Sequence, residues 1–568
     1  MNLRSRLQAL IRNDFVIALF VLVVFLLTNR YIYGWDDQHL EIPLLKHLID
    51  PQLYAGDYYV EALAKNFSSY LFPILSRIIT VDMIPAVYLG LFCVVRFLFF
   101  YWVYRLWQWI SGGDRLAALC ATLGLFLLGR TEEFIYRTFS HEEFSFAIIF
   151  AGFYFFYRER LLLAAVLYGI AANFHALYAL FPMLYLSAYV LLFVKDKGRT
   201  FAKTAAAFVV LALPFLLWHL PHAFHGRPPA PLDEWLPLYQ QSCPQCFPLG
   251  SANPQELITS LQVLLERLYP YVFLAVLYAA HCFVNKDFRR DKKAHVIFWV
   301  SAIMIAVGFF FAYAVPNRFM LDLNLDRMSQ FVHFMLMGYT ALYLMKLAQR
   351  PNPAWACAAA VIFIILGLAD APTFFSRLGR HGWLFVVLAA FLTLLFAVRN
   401  TPFAVRLKRL SLVIPLVWMF GSFCVVHYNY VQLREKGGGF WQLQRNWEDM
   451  QFYVRDHTSK DAMILTPYDM EMGGFRIHSN RKVVVCYRDC GVIGFDYGAA
   501  REWAKRIKDV EPFRVISRED IRPALMSAVQ KYGANYVVFM RYYEPQQEVS
   551  FLKKLYANEI FSLYQIVR

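Results

Sequence analysis

Apolar stretches long enough to cross a bilayer recur along the first three quarters of the chain, and they narrow its possible folds more than any other feature. A spanning helix needs roughly 17–25 largely apolar residues. Such segments fall near 15–33, 84–106, 115–130, 143–157, 161–176, 177–194, 203–220, 269–285, 295–315, 330–347, 354–370, 383–399 and 410–429. They predict an α-helical polytopic membrane protein of about thirteen transmembrane helices. With 59% hydrophobic and only 17% charged residues among 568, the composition excludes an ordinary water-soluble fold. Asn173 and His175 stand where the turn between 161–176 and 177–194 is placed.

The formal net charge of +15 does not point to nucleic acid, because Lys and Arg gather in short connections rather than on one basic face. Arg4, Arg6 and Arg12, Arg105 and Arg115, Arg158 and Arg160, and Lys195–Lys203 fall on one side of the alternation. Lys286–Lys293, Lys346 and Arg350, and Arg399–Arg409 join them. The longer loops 34–83, 131–142, 221–268, 316–329 and 371–382 are poor in basic residues. By the positive-inside rule the N-terminus is cytoplasmic, and an odd number of spans puts the C-terminal segment outside. The first apolar run follows its arginines as a signal peptide would, but no small-residue cleavage site follows it, so a retained first helix is expected.

Residues 1–429 are therefore expected to form the membrane domain, and 430–568 a soluble extracytoplasmic α/β domain after a Gly437-Gly438-Gly439 hinge. In that second part the periodicity predicts helices over 441–457, 499–508 and 521–532 and strands over 462–466, 482–486 and 535–540.

Carboxylates mark the outer face. Gly34-Trp35-Asp36-Asp37-Gln38-His39-Leu40-Glu41 follows the first span directly, and acids at a hydrocarbon boundary usually face a protein-lined cavity. The same loop carries Asp57 and two expected amphipathic helices, 40–49 and 58–67. Loop 131–142 and its edge add Glu132, Glu133, Arg137, His141, Glu142 and Glu143. A solvated loop would also explain this second cluster. His175, alone in an apolar stretch, is more simply a packing histidine, yet its depth lets it line the same cavity.

This order of features resembles the C-type (GT-C fold) membrane glycosyltransferases. That superfamily includes the catalytic subunit of oligosaccharyltransferase, the protein O-mannosyltransferases and the lipid A aminoarabinose transferases. Uncharacterised bacterial members are the most similar, with tails like Thr466-Pro467-Tyr468, Gly474-Phe475-Arg476 and Ser479-Asn480-Arg481-Lys482-Val483-Val484-Val485. The resemblance implies sugar transfer on the outer face of a bacterial inner membrane from a polyprenyl-phosphate or polyprenyl-diphosphate donor. The acceptor would be a glycan, a lipid or a protein, as in polysaccharide biosynthesis. It maps a general base or metal ligand onto Asp36 or Asp37, and second-loop acids onto Glu132, Glu133, Glu142 and Glu143. A carboxylate within hydrogen-bond reach can take the acceptor hydroxyl's proton. Asp36, Asp37 and Glu142 would be the ligands of a Mg or Mn ion if one is used.

Such a donor needs cations for its phosphate, and Arg forms bidentate contacts with that group. Arg327 is the first candidate, Arg318 the second, and Arg476 a third reaching in from the outer domain; Arg481 is weaker. Glu41, Asp57 and His175 are the expected cavity-lining residues. Cys243/Cys246 and Cys486/Cys490 are close pairs in outer segments that can form disulfides there. A zinc site would need four ligands, and no second CxxC is present. The alternative functions are a transporter or flippase of a lipid-linked saccharide, or a non-catalytic partner in surface-polysaccharide assembly. The chain shows no internal repeat of the kind transporters carry.

Overall fold

A computed structural model describes residues 13–29, 31–127, 134–225, 230–247, 261–350, 440–470, 473–515, 520–545 and 550–567. The expected spans at 354–370, 383–399 and 410–429, the triple-glycine hinge, Glu132 and Glu133 lie outside them.

The N-terminal part is helical. Its main elements are α1 (Asp14–Asn29), α2 (Gln38–Ile49), α3 (Tyr58–Asn66), α4 (Ile84–Ile110) and α5 (Arg115–Leu127). They continue with α6 (His141–Tyr157), α7 (Leu161–Ala172), α8 (Ala176–Phe193), α9 (Lys197–His225), α10 (Leu232–Ser242), α11 (Leu261–Val284), α12 (Lys292–Phe309) and α13 (Met328–Ala348). Among the described residues, Val81–Ile110, Ala176–Phe193, Lys197–His219 and Lys292–Ala314 are long and apolar enough to cross a membrane. Segments 14–29, 115–126, 161–172 and 268–284 are shorter apolar helices.

Helix α4 shows how sequence spacing sets the packing. Tyr88, Phe92, Val95, Phe99, Val103 and Trp107 recur every three or four residues and are all buried. Leu89, Val94 and Leu98 on the opposite side are exposed. A helix that is apolar all round and buried on only one side has its other side suited to lipid. Val210, Leu217 and Phe283 on other helices are likewise exposed.

The turn expected at Asn173–His175 is present. Asn173 closes α7 and binds across to α9, donating to the Leu211 carbonyl at 2.8 Å and accepting from the Phe215 amide at 3.1 Å. Those groups flank Pro214, which cannot donate a backbone hydrogen bond of its own.

Close approach of α13 to α4 depends on Gly338, where an added Cβ would lie 1.9 Å from the Trp107 ring. Gly338→Ala should therefore destabilise the bundle by at least the roughly 1–3 kcal/mol typical of overpacking. Thermal unfolding of the purified variant in detergent measures it; an unchanged midpoint would contradict the packing.

The C-terminal part is built on a five-stranded sheet in the order β2-β1-β3-β5-β4. Its strands are β1 (Met463–Leu465), β2 (Lys482–Val483), β3 (Tyr536–Met540), β4 (Leu552–Ala557) and β5 (Phe561–Ile566). Strand β1 runs parallel to β2 and β3, whereas β5 is antiparallel to both β3 and β4. Helices α14 (Phe440–His457), α15 (Phe475–Ser479), α16 (Tyr497–Asp509) and α17 (Arg522–Tyr532) accompany it. Strand β2 is shorter than the 482–486 expected. The hairpin β4–β5 escaped the sequence reading because its burial is irregular and offers no clean period of two.

This sheet-bearing part lies against the segment between α1 and α4. Lys46 Nζ donates to the Ile477 carbonyl at 2.5 Å, Tyr58 to Asp489 at 2.9 Å and Asn66 to Asp496 at 2.7 Å. At the centre Arg476 binds Asp57 and Asp489 together at 2.8 and 2.9 Å, with all three side chains at most 4% exposed.

Candidate active site

The polar run after α1 folds into a tight turn that opens α2. Gly34 takes a left-handed φ of 84°, and Asp36 does so too at 49°, a conformation that non-glycine residues adopt only at a cost. The turn is held by Gln38, whose side chain accepts from the Gly34 amide at 2.6 Å and donates to the Phe139 carbonyl at 2.8 Å. Ile32 donates to the Arg137 carbonyl at 2.8 Å. The first polar loop and the start of α6 are thus joined before any charge is considered.

Three helix starts then bring ionisable groups together. Ser140 caps α6 in a capping box with Glu143, which leaves His141 and Glu142 at the helix mouth. His175 caps α8, and Arg327 ends a short turn leading into α13. Glu41 Oε1 accepts from the His141 amide at 3.0 Å and meets His141 Nδ1 at 2.5 Å. Glu142 Oε1 is met by His175 Nε2 at 3.1 Å and by Arg327 at 3.3 Å. The rings of His141 and His175 stack with centroids 5.0 Å apart, which joins the two pairs into one cluster. Tyr178, one turn after His175, lies under the Arg327 guanidinium, 5.6 Å from its ring centre.

Asp37 stands beside this cluster. Burial and the carboxylates of Glu142 and Glu41 push its carboxyl up to about 7, against the pull of His141 and Arg327. It is nevertheless partly open to solvent, unlike Glu41, which is fully buried. Burial also raises Asp36, but the cations Arg488 and Arg137 and a hydrogen bond with Thr138 oppose the rise. The two adjacent aspartates therefore have different surroundings. Glu142 acts on both, but Asp37 also feels Glu41, whereas the largest charge effects on Asp36 come from Arg488 and Arg137.

Several sequence candidates are placed elsewhere. Glu143 is bonded to Arg96 at 3.0 Å in an ion pair at most 1% exposed, so it joins α4 to α6 instead of facing a cavity. Asp57 caps α3 by accepting from the Tyr59 and Val60 amides, and its remaining oxygen holds Arg476. Arg476 is thereby held between two carboxylates. Arg481 is occupied by backbone carbonyls, among them those of Arg455 and Thr458. Arg318 lies over the Tyr497 ring at 4.7 Å, at the contact with the sheet-bearing part. Tyr178 and Gln38 escaped the sequence reading. The three-residue spacing of His175 and Tyr178 on a helix start was the one available signal.

Glu41 Oε2 and Glu142 Oε2 are buried without a hydrogen-bond partner. Among the described residues, however, no three His, Cys, Asp or Glu side chains are arranged to hold a metal ion. Glu142 is already paired with Arg327 and bonded by His175. Asp36, Asp37 and Glu142 do not form such a group, and no step below passes through a metal.

The cysteine pair on the segment after α10 is also occupied. Cys243 and Cys246 are buried free thiols, and Cys246 Sγ donates to Asn324 Oδ1 at 2.7 Å, three residues before Arg327.

Residues 445–510 match the family model of a domain of unknown function, DUF6798. No curated protein matches the chain. Two solved structures of ArnT from Cupriavidus metallidurans are similar to it over 97% of both chains. One, bound to undecaprenyl phosphate, has 9% sequence identity and a TM-score of 0.43. The other, in the apo state, has 11% identity and a TM-score of 0.42.

Proposed function

We propose that this chain is an integral-membrane glycosyltransferase that moves a sugar from a polyprenyl-phosphate or polyprenyl-diphosphate donor to an acceptor hydroxyl. The observation that carries the reading is the cluster itself, in which a partly open carboxylate of raised pKa stands beside Glu142 and Arg327 at one end of a lipid-facing bundle. Asp37 takes the proton of the acceptor hydroxyl as its oxygen attacks the anomeric carbon. Arg327 meets the phosphate that leaves, where negative charge develops. Glu142, itself bonded by His175, holds the guanidinium in place, and Glu41 orients His141.

A second feature supports a lipid-linked donor. An almost wholly apolar groove of about 240 Å³ runs between α11, α12 and α13, and its lining residues Ser329 and Val332 lie within two turns of Arg327. A prenyl chain in that groove would bring its phosphate toward Arg327. The cluster lies at the end of the helices away from the basic connections, which by the positive-inside rule would face outward.

Arg327→Gln tests the donor side. Loss of hydrogen bonds to a charged group costs about 1.5–3 kcal/mol, or roughly 10–100-fold in binding. The KM for a polyprenyl-phosphate sugar should rise by that factor, while Arg327→Lys recovers only part. Donor kinetics unchanged by Arg327→Gln in folded, inserted protein would remove Arg327 from the phosphate site. A protein that carries such a lipid across membranes without transferring its sugar would instead be a flippase.

A further inference from the structure

A second pocket lies at the opposite end of the bundle, where the basic connections gather. It holds about 370 Å³ and is open on one side. Glu159 at its edge follows the last turn of α6, whose first turn carries Glu142. At about 1.5 Å of rise per residue, this 17-residue helix separates the pocket from the candidate active site by roughly 25 Å.

The charges lining it are unequally occupied. Glu159 accepts from Lys293 at 2.5 Å and from Tyr189 at 2.8 Å. Asp291 caps α12 through the Lys293 and Ala294 amides and accepts from the Tyr339 hydroxyl. Asp287 is paired with Lys346. Every acid of the pocket therefore has a donor. Arg290 and Lys292 are both exposed, and among the described residues neither has a carboxylate partner; Lys292 rests on the Phe193 ring at 4.9 Å. The buried Tyr157 hydroxyl lies in the field of Asp291 and Tyr339. Trp109, at the end of α4, adds an aromatic wall of the kind found at membrane interfaces. The pocket thus offers two exposed cations without a carboxylate partner beside an aromatic wall.

We infer that this pocket binds a phosphate-bearing anion through Arg290 and Lys292, with the headgroup of an anionic phospholipid as its occupant. Basic pockets between helices on the cytoplasmic side are suited to such headgroups. The site is independent of sugar transfer, and losing it leaves Asp37 and Arg327 in place.

The test uses the full chain in nanodiscs and in detergent, with native mass spectrometry and thermal unfolding. Phosphatidylglycerol, cardiolipin, phosphatidylcholine and inorganic phosphate are added separately to the wild type and to Arg290→Gln/Lys292→Gln. A second double variant, Lys286→Gln/Arg289→Gln, removes the same charge outside the pocket. The expected result is retention of phosphatidylglycerol or cardiolipin and a raised midpoint in the wild type. The pocket variant should lose affinity at least tenfold, and the control variant should behave as the wild type. Stabilisation by inorganic phosphate with the same variant dependence would support the anion site and identify a soluble source. Equal binding of phosphatidylcholine, an unaffected pocket variant, or an equal loss in the control variant would overturn the proposal.

Discussion

Asp37→Asn should lower the rate of sugar transfer by about 10²–10⁴-fold, the range that a positioned general base contributes. Donor binding should change little, because the amide keeps the shape of the carboxyl and Arg327 is untouched. The wild type should show the matching pH dependence. A base whose carboxyl is pushed up to about 7 is protonated and idle below that pH, so kcat rises as pH passes through 7 and then levels. The same shift has a stability consequence of opposite sign. An unfolded aspartate titrates near 4, so between about 4 and 7 the folded chain binds the extra proton, and Asp37 costs stability as pH rises through that window. Asp36→Asn should leave that rising limb in place. If Asp36→Asn abolishes transfer and Asp37→Asn does not, the roles of the two aspartates are reversed.

Arg476→Met should be the most damaging single change outside the candidate site. It strands the carboxylates of Asp57 and Asp489 in a place that is at most 4% exposed. Removing one partner of a buried ion pair typically costs about 3–5 kcal/mol, since an uncompensated charge stays behind. The sheet-bearing part should then loosen from α2 and α3, seen as a lower unfolding midpoint and faster proteolysis between the two parts. Acid should restore part of the loss, because protons neutralise the stranded charges. Adding Asp57→Asn and Asp489→Asn should restore more, since Asn can still cap α3. A midpoint unchanged in Arg476→Met would mean that the interface does not depend on this ion pair.

Much of the fold is written locally. The three-to-four spacing of aromatic residues in α4, the Ser140–Glu143 capping box and the helices at 38–49 and 58–66 follow from neighbouring residues alone. Partners were not legible in the same way. Arg476 read as an arginine free to reach over the site, but its carboxylate at Asp57 is 419 residues away in the chain. Glu143 and Glu142 are adjacent and chemically alike, yet one turns to Arg96 inside the bundle and the other to Arg327 at its mouth. Helical rotation of about 100° per residue sends neighbours to different faces, and only the packed bundle says what each face meets.

By itself the sequence determined that the chain is a membrane protein, that acids stand after its first span, and that an α/β part follows the helices. Hydropathy and periodicity carry that information, because both are sums over residues close in the chain. The tertiary structure decided that Asp37 stands in the field of both Glu41 and Glu142, while Arg488 and Arg137 oppose the rise at Asp36. It also placed Arg327, 185 residues along the chain from Glu142, on that carboxylate. Burial and charge pairing act through space and steeply with distance, so a group's chemistry depends on neighbours that the order of residues does not name.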